Sequence, residues 1–395
     1  MSRLDELIQQ YCPDGVEYKK LGDIEDNGLI KLGRGNVISK QNMKECPGDY
    51  PVYSSSCVGD GEIGRYGKYM FDDERISWSI DGGGKFFYRN NLKYSITNVS
   101  GWLKVLAPEL VSAKYLYYSL TNEWVKKVYD YTHKAHPSVI REEYIIPVPP
   151  LPVQEEIVRI LDNFAELQAE LQAELQKRLQ QYNYYRDNLL SFEGRTDVEW
   201  ISIDQLFLRR NGYTPSKSNV EFWTNGTIPW FRMEDIRENG RILTNSIQKI
   251  HPSAVKKNAL FKSGSIIVAT SATIGEHALV LVDCLANQRF TCLTVRDEYK
   301  NRVDNMFLFY YMFKVDEWCK THTVQGNFPG VDMSQFPSVL IPLPSIEEQK
   351  RIATILNRFD KLTTDITAGL PAEIEARRKQ YEYYRDQLLT FKQKA

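Results

Sequence analysis

The stretch SIDGGGKFF, Ser79 to Phe87, is the first place where these residues could cradle a phosphate. A phosphate loop needs a leading glycine, a lysine to reach the anion, and a Ser or Thr to hold the metal. Here Ser79 stands where the first glycine belongs, and Phe86 follows Lys85 in place of the hydroxyl residue. What remains is a glycine-rich turn, or a close approach of backbone to ligand. Glu17-Tyr18-Lys19 has the ExK spacing of metal-dependent nucleases, but no good second acidic ligand accompanies Asp14. The five histidines, His133, His136, His251, His277 and His322, form no HExxH pair. His133 and His136 are followed by Pro137, and no carboxylate or cysteine completes a metal set. The six cysteines show no CxxC pair and read as reduced thiols of a cytoplasmic protein. No nucleophile elbow, dinucleotide fingerprint or Asn-Pro-Pro-aromatic methyltransferase signature is present. If the chain is an enzyme, it hides its chemistry well.

What does recur is the mixture that reads DNA: cations, amides and hydroxyls interleaved with aromatics on Gly-rich loops. In the first half these are Tyr53, Ser54, Ser55, Ser56, Arg65, Lys68, Lys85, Arg89, Lys134 and His136. In the second half they are Arg209, Arg210, Tyr213, Thr214, Lys217, Trp230, Arg232, Asn287, Gln288, Arg289, Gln325 and Asn327. Fifty basic residues against 51 acidic ones exclude a uniformly basic coat, though not a local patch. No run of about 18 apolar residues predicts a membrane span.

Two long helical segments must position these loops. QYNYYRDNLLSF at 181–192 returns as QYEYYRDQLLTF at 380–391. Ile157, Ile160, Leu161 and Phe164 mark one apolar helix face, and Ile352, Ile355, Leu356 and Phe359 repeat it 195 positions later. AELQ is written three times from Ala165 to Gln176. The pattern predicts one helix from Val153 to Phe192, roughly 60 Å long. In the second copy AGLPAE, with Gly369 and Pro371, predicts a kink or break. Proline clusters precede both helices and set them off from mixed α/β segments. The boundaries expected are a stub helix at 1–15, a domain at 16–149, a helical region at 150–195, a second, unlike domain at 196–341, and a helical region at 342–395. A surface written twice suits a partner bound twice. Tyr182, Tyr185, Arg186 and Asp187, with Tyr381, Tyr384, Arg385 and Asp386, are the candidates for it, and packing is the competing use of the tyrosines.

Over nearly its whole length the chain resembles the specificity subunits of type I restriction–modification systems. PLPVQEEIVRILDNF, PLPSIEEQKRIATILNRF and the duplicated QYxYYRDxLLxF endings carry the resemblance, with YPVYSSS…GEIGRY and GYTPSKSNVEFW…GTIPW resembling openings of that family's recognition domains. The resemblance implies an α/β fold (mixed α+β): two target-recognition domains joined by two helical regions that pair as an antiparallel coiled coil, with pseudo-two-fold, circular repetition. It implies that each domain reads one half of a split, asymmetric double-stranded DNA target. The helical regions would dock two modification subunits, which restriction subunits join, and no membrane is involved. The resemblance implies that this chain itself catalyses nothing and binds no cofactor; S-adenosylmethionine, ATP and Mg are expected in the partner subunits, with methylation and cleavage. One AELQ unit adds roughly 6 Å and about 40° of helix, so the repeat is a candidate ruler for the gap between half-sites. A coiled-coil adaptor that touches no DNA, and a subunit used only for methylation or as an exchangeable variant, stay open on the sequence alone.

Overall fold

The first helix, α1 (Arg3–Tyr11), begins where Ser2 accepts from the Asp5 amide while the Asp5 carboxylate accepts from the Ser2 amide, a reciprocal cap. The computed structural model describes residues 2–394 apart from 57–58, 131, 257–258, 325–328 and 365–368. It divides the chain into two units, Met1–Ala173 with Glu373–Ala395, and Glu174–Ala372.

In the first unit α1 is followed by β1 (Tyr18–Lys20), α2 (Leu21–Asp26), β2 (Ile30–Arg34), α3 (Lys40–Glu45) and β3 (Tyr50–Tyr53). Next come β4 (Glu62–Tyr66), β5 (Arg75–Ser79), β6 (Phe86–Arg89), β7 (Ser95–Ile96) and β8 (Ser100–Val105). The domain ends with α4 (Ala113–Trp124), α5 (Pro137–Glu143) and β9 (Ile145–Pro147). An antiparallel sheet runs β2-β8-β5-β6, a smaller mixed sheet runs β4-β3-β7, and β9 returns to pair with β1. Trp78, Phe86, Leu103, Leu116, Leu120 and Tyr144 fill the core.

The helix α6 (Leu151–Leu189) is unbroken for 39 residues, close to the predicted span. In the second unit it is followed by β10 (Glu199–Ser202), α7 (Ile203–Leu206), β11 (Phe207–Asn211), β12 (Ile228–Phe231), α8 (Met233–Asn239), β13 (Ile242–Leu243) and β14 (Lys249–Ile250). Then come β15 (Ile266–Ala269), β16 (His277–Val280), β17 (Leu285–Ala286), β18 (Phe290–Val295), α9 (Asn305–Thr321), β19 (Thr323–Val324), β20 (Gly330–Val331) and β21 (Leu340–Leu343). The second helical region is two helices, α10 (Ile346–Thr364) and α11 (Leu370–Leu388), so the helix is broken where Gly369 and Pro371 predicted it.

The two domains, expected to be unlike, share one framework. The sheet β11-β18-β15-β16-β13 repeats β2-β8-β5-β6 with one added strand. The parallel pair β12–β17 repeats β3–β7, and β10–β21 repeats β1–β9. Their fillings differ, which hid the kinship. Trp78 opposite Phe86 in the first domain corresponds to Val268 opposite His277 in the second, and His277 is fully buried and hydrogen-bonded to Asp316 at 2.6 Å.

The helical frame is repeated atom for atom. Gln154 is fully buried; its Oε1 accepts from the Ser112 amide, and its Nε2 donates to the carbonyls of Leu110 and Pro149. Gln349, 195 positions on, accepts from the Asp304 amide and donates to the carbonyls of Arg302 and Pro344. Tyr118 donates to Asp162 as Tyr310 donates to Asn357. The aromatic contacts are crossed between copies: Phe164 stacks on Tyr384 at 5.5 Å in the first unit, and Phe359 stacks on Tyr185 at 5.4 Å in the second. Each copy of the apolar quartet therefore meets the tyrosines of the other copy.

A seam joins the chain ends within the first unit. The Val16 amide donates to the Lys392 carbonyl, and the Lys394 amide donates back to Val16. The Tyr18 hydroxyl donates to the Phe391 carbonyl and accepts from the Phe391 amide. Leu389 completes an apolar cluster with Leu4, Val16, Val153, Ile157 and Leu161.

Candidate nucleic-acid interface

Each domain builds the same end. After β7, the Thr97 amide donates to the Tyr53 carbonyl, and the Ser100 amide closes the turn on Thr97. After β17, Asn287 donates to Phe231, and Phe290 closes the turn on Asn287. The exit of the first long strand lies against this turn in both. Gly35 and Asn36 donate to Ser100 and Ile96, and Gly212 and Tyr213 donate to Phe290 and Ala286. The hairpin beyond the central strand joins from the other side, with Ile80 donating to Val99 and Thr270 to Arg289. A late loop completes the end, Ala135 donating to Ile80 and Val331 to Thr270. Glycine is required at the exit: a Cβ on Gly35 would lie 2.3 Å from the Ile96 carbonyl oxygen, and one on Gly212 would lie 2.2 Å from that of Asn287. Thr97-Asn98-Val99 and Asn287-Gln288-Arg289 are thus one turn with different letters.

The sequence candidates distribute unevenly over this end. Ser54 shares a 2.8 Å hydroxyl contact with Thr97, and the Ser55 carbonyl accepts from Ser79, so both border the first turn. Ser56 follows them on the same loop, and Lys85 lies in the hairpin, within 3.4 Å of the Gly59 carbonyl. Lys134 is on the late loop, paired with Asp81 at 3.0 Å, and His136 follows with Nε2 3.4 Å from Arg34. Tyr53 and Arg89 lie inside, 6% and 5% exposed, with the guanidinium 3.5 Å from the tyrosine ring centre. Burial pulls the Arg89 guanidinium below its ordinary pKa and pushes the Tyr53 phenol up. Arg65 is exposed on β4 and bound to Glu62, while Lys68 is exposed beyond that strand.

In the second domain Asn287, Gln288 and Arg289 form the turn itself, and Thr214 donates to the Gln288 side-chain oxygen across from it. Tyr213 bridges the Ala254 carbonyl and the Lys256 amide through its hydroxyl. Trp230 is buried and donates to the Tyr213 carbonyl. Arg232, partly buried, lies with its guanidinium 5.7 Å from the Trp230 ring centre. Lys217 is exposed in the loop before β12. Arg209 pairs with Asp204, and Arg210 lies over Phe261, both on β11 away from the turn. Gln325 and Asn327 lie outside the described residues.

Two groups escaped the sequence reading. Arg34 and Asn98 sit at the first domain's end, and no sequence signal marks them because no position of the two turns carries the same letter. On the repeated helix ends, Tyr182 is buried, while Tyr185 and Tyr384 stack on the crossed phenylalanines and Tyr381 meets Phe164 edge-on at 6.4 Å. Arg186 and Arg385 each hold the neighbouring aspartate, Asp187 and Asp386. Tyr184 and Tyr383 are the tyrosines turned outward, 67% and 62% exposed. They were legible as the first letter of both YYR runs.

Among the described residues no helix is long and apolar enough to cross a membrane. A family model described as the type I restriction modification DNA specificity domain matches twice, over residues 13–181 and 196–376. The EcoR124I/EcoR124II specificity subunit of Escherichia coli is 38% identical over 298 residues, covering 73% of this chain and 69% of the relative. The EcoprrI specificity subunit of the same species is 54% identical over 204 residues, about half of each chain. A putative type I specificity subunit of Mycoplasma pneumoniae is 30% identical over 93% of this chain and 96% of its own. In fold, the S subunit of a type I restriction–modification system from M. genitalium aligns with TM-score 0.56 at 15% identity, covering 95% of this chain and 96% of that one. A chain from a structure of type I assembly and conformational transition aligns with TM-score 0.59, also at 15% identity, covering 96% and 98%. With the recognition framework built twice and a family model matching each copy, the chain belongs to the type I restriction–modification specificity subunits.

Proposed function

We propose that this chain reads a split, asymmetric duplex target, one half-site per domain, and catalyses nothing itself. One observation carries the reading: the same strand-and-loop end is built twice, yet its exposed side chains differ. Identical scaffolds present a turn in the same way, and different letters on it select different bases. Two modification subunits bind the chain and supply S-adenosylmethionine and adenine methylation, taking the target base out of the stack. Restriction subunits with ATP and Mg join that core. The repeated helix ends are the docking surface for the modification subunits, with Tyr184 and Tyr383 as its outward anchors. Among the described residues each meets only the edge of the neighbouring tyrosine, Tyr185 or Tyr384, and keeps most of its surface exposed, and aromatic anchors dominate protein interfaces.

Co-expression with the modification subunit, followed by mapping of methylated adenines across a test genome, tests this reading. A non-palindromic motif in two parts with one fixed gap is the expected outcome. A contiguous or palindromic motif would show that the two domains do not each read a half-site. An assembled complex without methylation would favour a helical adaptor that leaves DNA alone.

A further inference from the structure

We infer that Asn98 and Gln288, at the tip of the equivalent turn in the two domains, are the base-reading side chains of that turn, each reading an adenine in its own half-site. The inference rests on the DNA-recognition reading and assigns it to atoms. The equivalence follows from the shared hydrogen bonds: Thr97 and Asn287 donate to the last residue of the parallel partner strand, Tyr53 of β3 and Phe231 of β12, and Ser100 and Phe290 close the turn. Of the two residues between, the first is a carboxamide in both, although no position of the turn carries the same letter.

Both carboxamides are presented rather than consumed. The Asn98 side chain makes no hydrogen bond among the described residues, while its backbone is fixed. The Arg34 guanidinium donates to the Asn98 carbonyl through Nε at 3.1 Å and Nη2 at 2.6 Å. Arg34 is itself held by Trp102, whose indole donates to the Arg34 carbonyl at 3.0 Å. In the second domain Thr214 donates to the Gln288 oxygen and orients the amide, whose nitrogen has no partner among the described residues. A carboxamide carries a donor beside an acceptor, which matches the N7 acceptor and N6 donor of adenine in the major groove. Arg34 is a positioning residue for the first turn. None of its described partners is a carboxylate, so its charge is also available to a phosphate beside the reading head.

The test uses the full chain assembled with its modification subunits. Asn98→Ala and Gln288→Ala complexes are mapped by genome methylation. Binding is then measured on duplexes carrying the wild-type motif and on duplexes with that motif scrambled. Asn98→Ala should relax one base position in one half-site, lowering affinity for the intact motif roughly 5- to 150-fold, and leave the other half unchanged. Gln288→Ala should do the same in the opposite half. Asn98→Asp, which only accepts, should shift that position from adenine toward cytosine, whose N4 donates. Arg34→Ala should relax the same position as Asn98→Ala, which a general loss of fold would not do. Assembled variants that keep every base position, with a wild-type complex that reads its split motif, would overturn the inference while sparing the recognition reading. A wild-type complex without a split motif would overturn both.

Discussion

Each helical frame buries one glutamine whose carboxamide is fully used, and its loss has a definite size. Replacing Gln349 by Ala strands the Asp304 amide and two carbonyls in the interior. We expect destabilisation of about 2–4 kcal/mol, measured by urea unfolding of the second unit's signal, and the same for Gln154→Ala in the first. An effect under about 0.5 kcal/mol would mean that water replaces the side chain. Glycine at the strand exits makes a sharper prediction about function. Gly35→Ala must push its loop off the Ile96 carbonyl, and Gly212→Ala off that of Asn287. Each should degrade one half of the target motif in a methylation map and spare the other. Loss of both halves from either substitution would show that the ends are not independent.

Among the elements, α11 has no fully buried residue, although most helical stability in proteins comes from tertiary packing. It is held by Tyr381 and Tyr384 on Phe164 and by the leucines that follow. Phe164→Ala should therefore speed amide exchange over residues 370–388 by roughly 10-fold or more; unchanged protection would show that the leucines suffice. The AELQ run makes the opposite prediction. None of residues 165–176 is buried, so one unit can be added or removed without opening a cavity. The variant should fold normally and shift the gap between half-sites by about one or two base pairs, at 3.4 Å per pair. An unchanged gap would sink the ruler. Near the helix starts, the Arg159 hydrogen bond holds the Glu156 carboxyl below its usual range, as Arg351 does for Glu348. Both pKa values are depressed on folding. Their contribution is thus full above the unfolded value of about 4.3 and is lost as pH falls through the lower folded value. A Glu156→Gln, Glu348→Gln chain should lose less stability than wild type on acidification below about pH 4.5.

For the molecule as a whole, the proposed docking of two modification subunits, with an exposed tyrosine on each repeated helix end, predicts stepwise assembly. Tyr184→Ala should leave a complex with one modification subunit, and the double variant with Tyr383→Ala none, read by native mass spectrometry. The frame was legible because it is written twice and because helix periodicity survives many substitutions: the apolar quartets, the proline leads and the Gly369–Pro371 break all fell where expected. The kinship of the domains was not. A β framework is set by backbone hydrogen bonds, and Trp78 with Phe86 serves it as well as Val268 with His277. Of the candidate interface, the Asn287–Arg289 turn was legible from its polar letters. Tyr53, Arg89 and Trp230 carried similar letters but fill the interior, since residue type alone does not tell a loop tip from a strand.

The seam between Val16 and the last residues also bears on the order of synthesis. The first unit is completed by residues 373–395, so the ribosome must make the whole second unit before the first can close. At about 5–20 residues per second this is a delay of roughly 10–40 s, during which Leu4, Val153, Ile157 and Leu161 lack the Leu389 contact. A stop codon within residues 373–395 would therefore damage the unit whose other residues were translated earlier, and a nascent-chain holdase would find its target in residues 1–173.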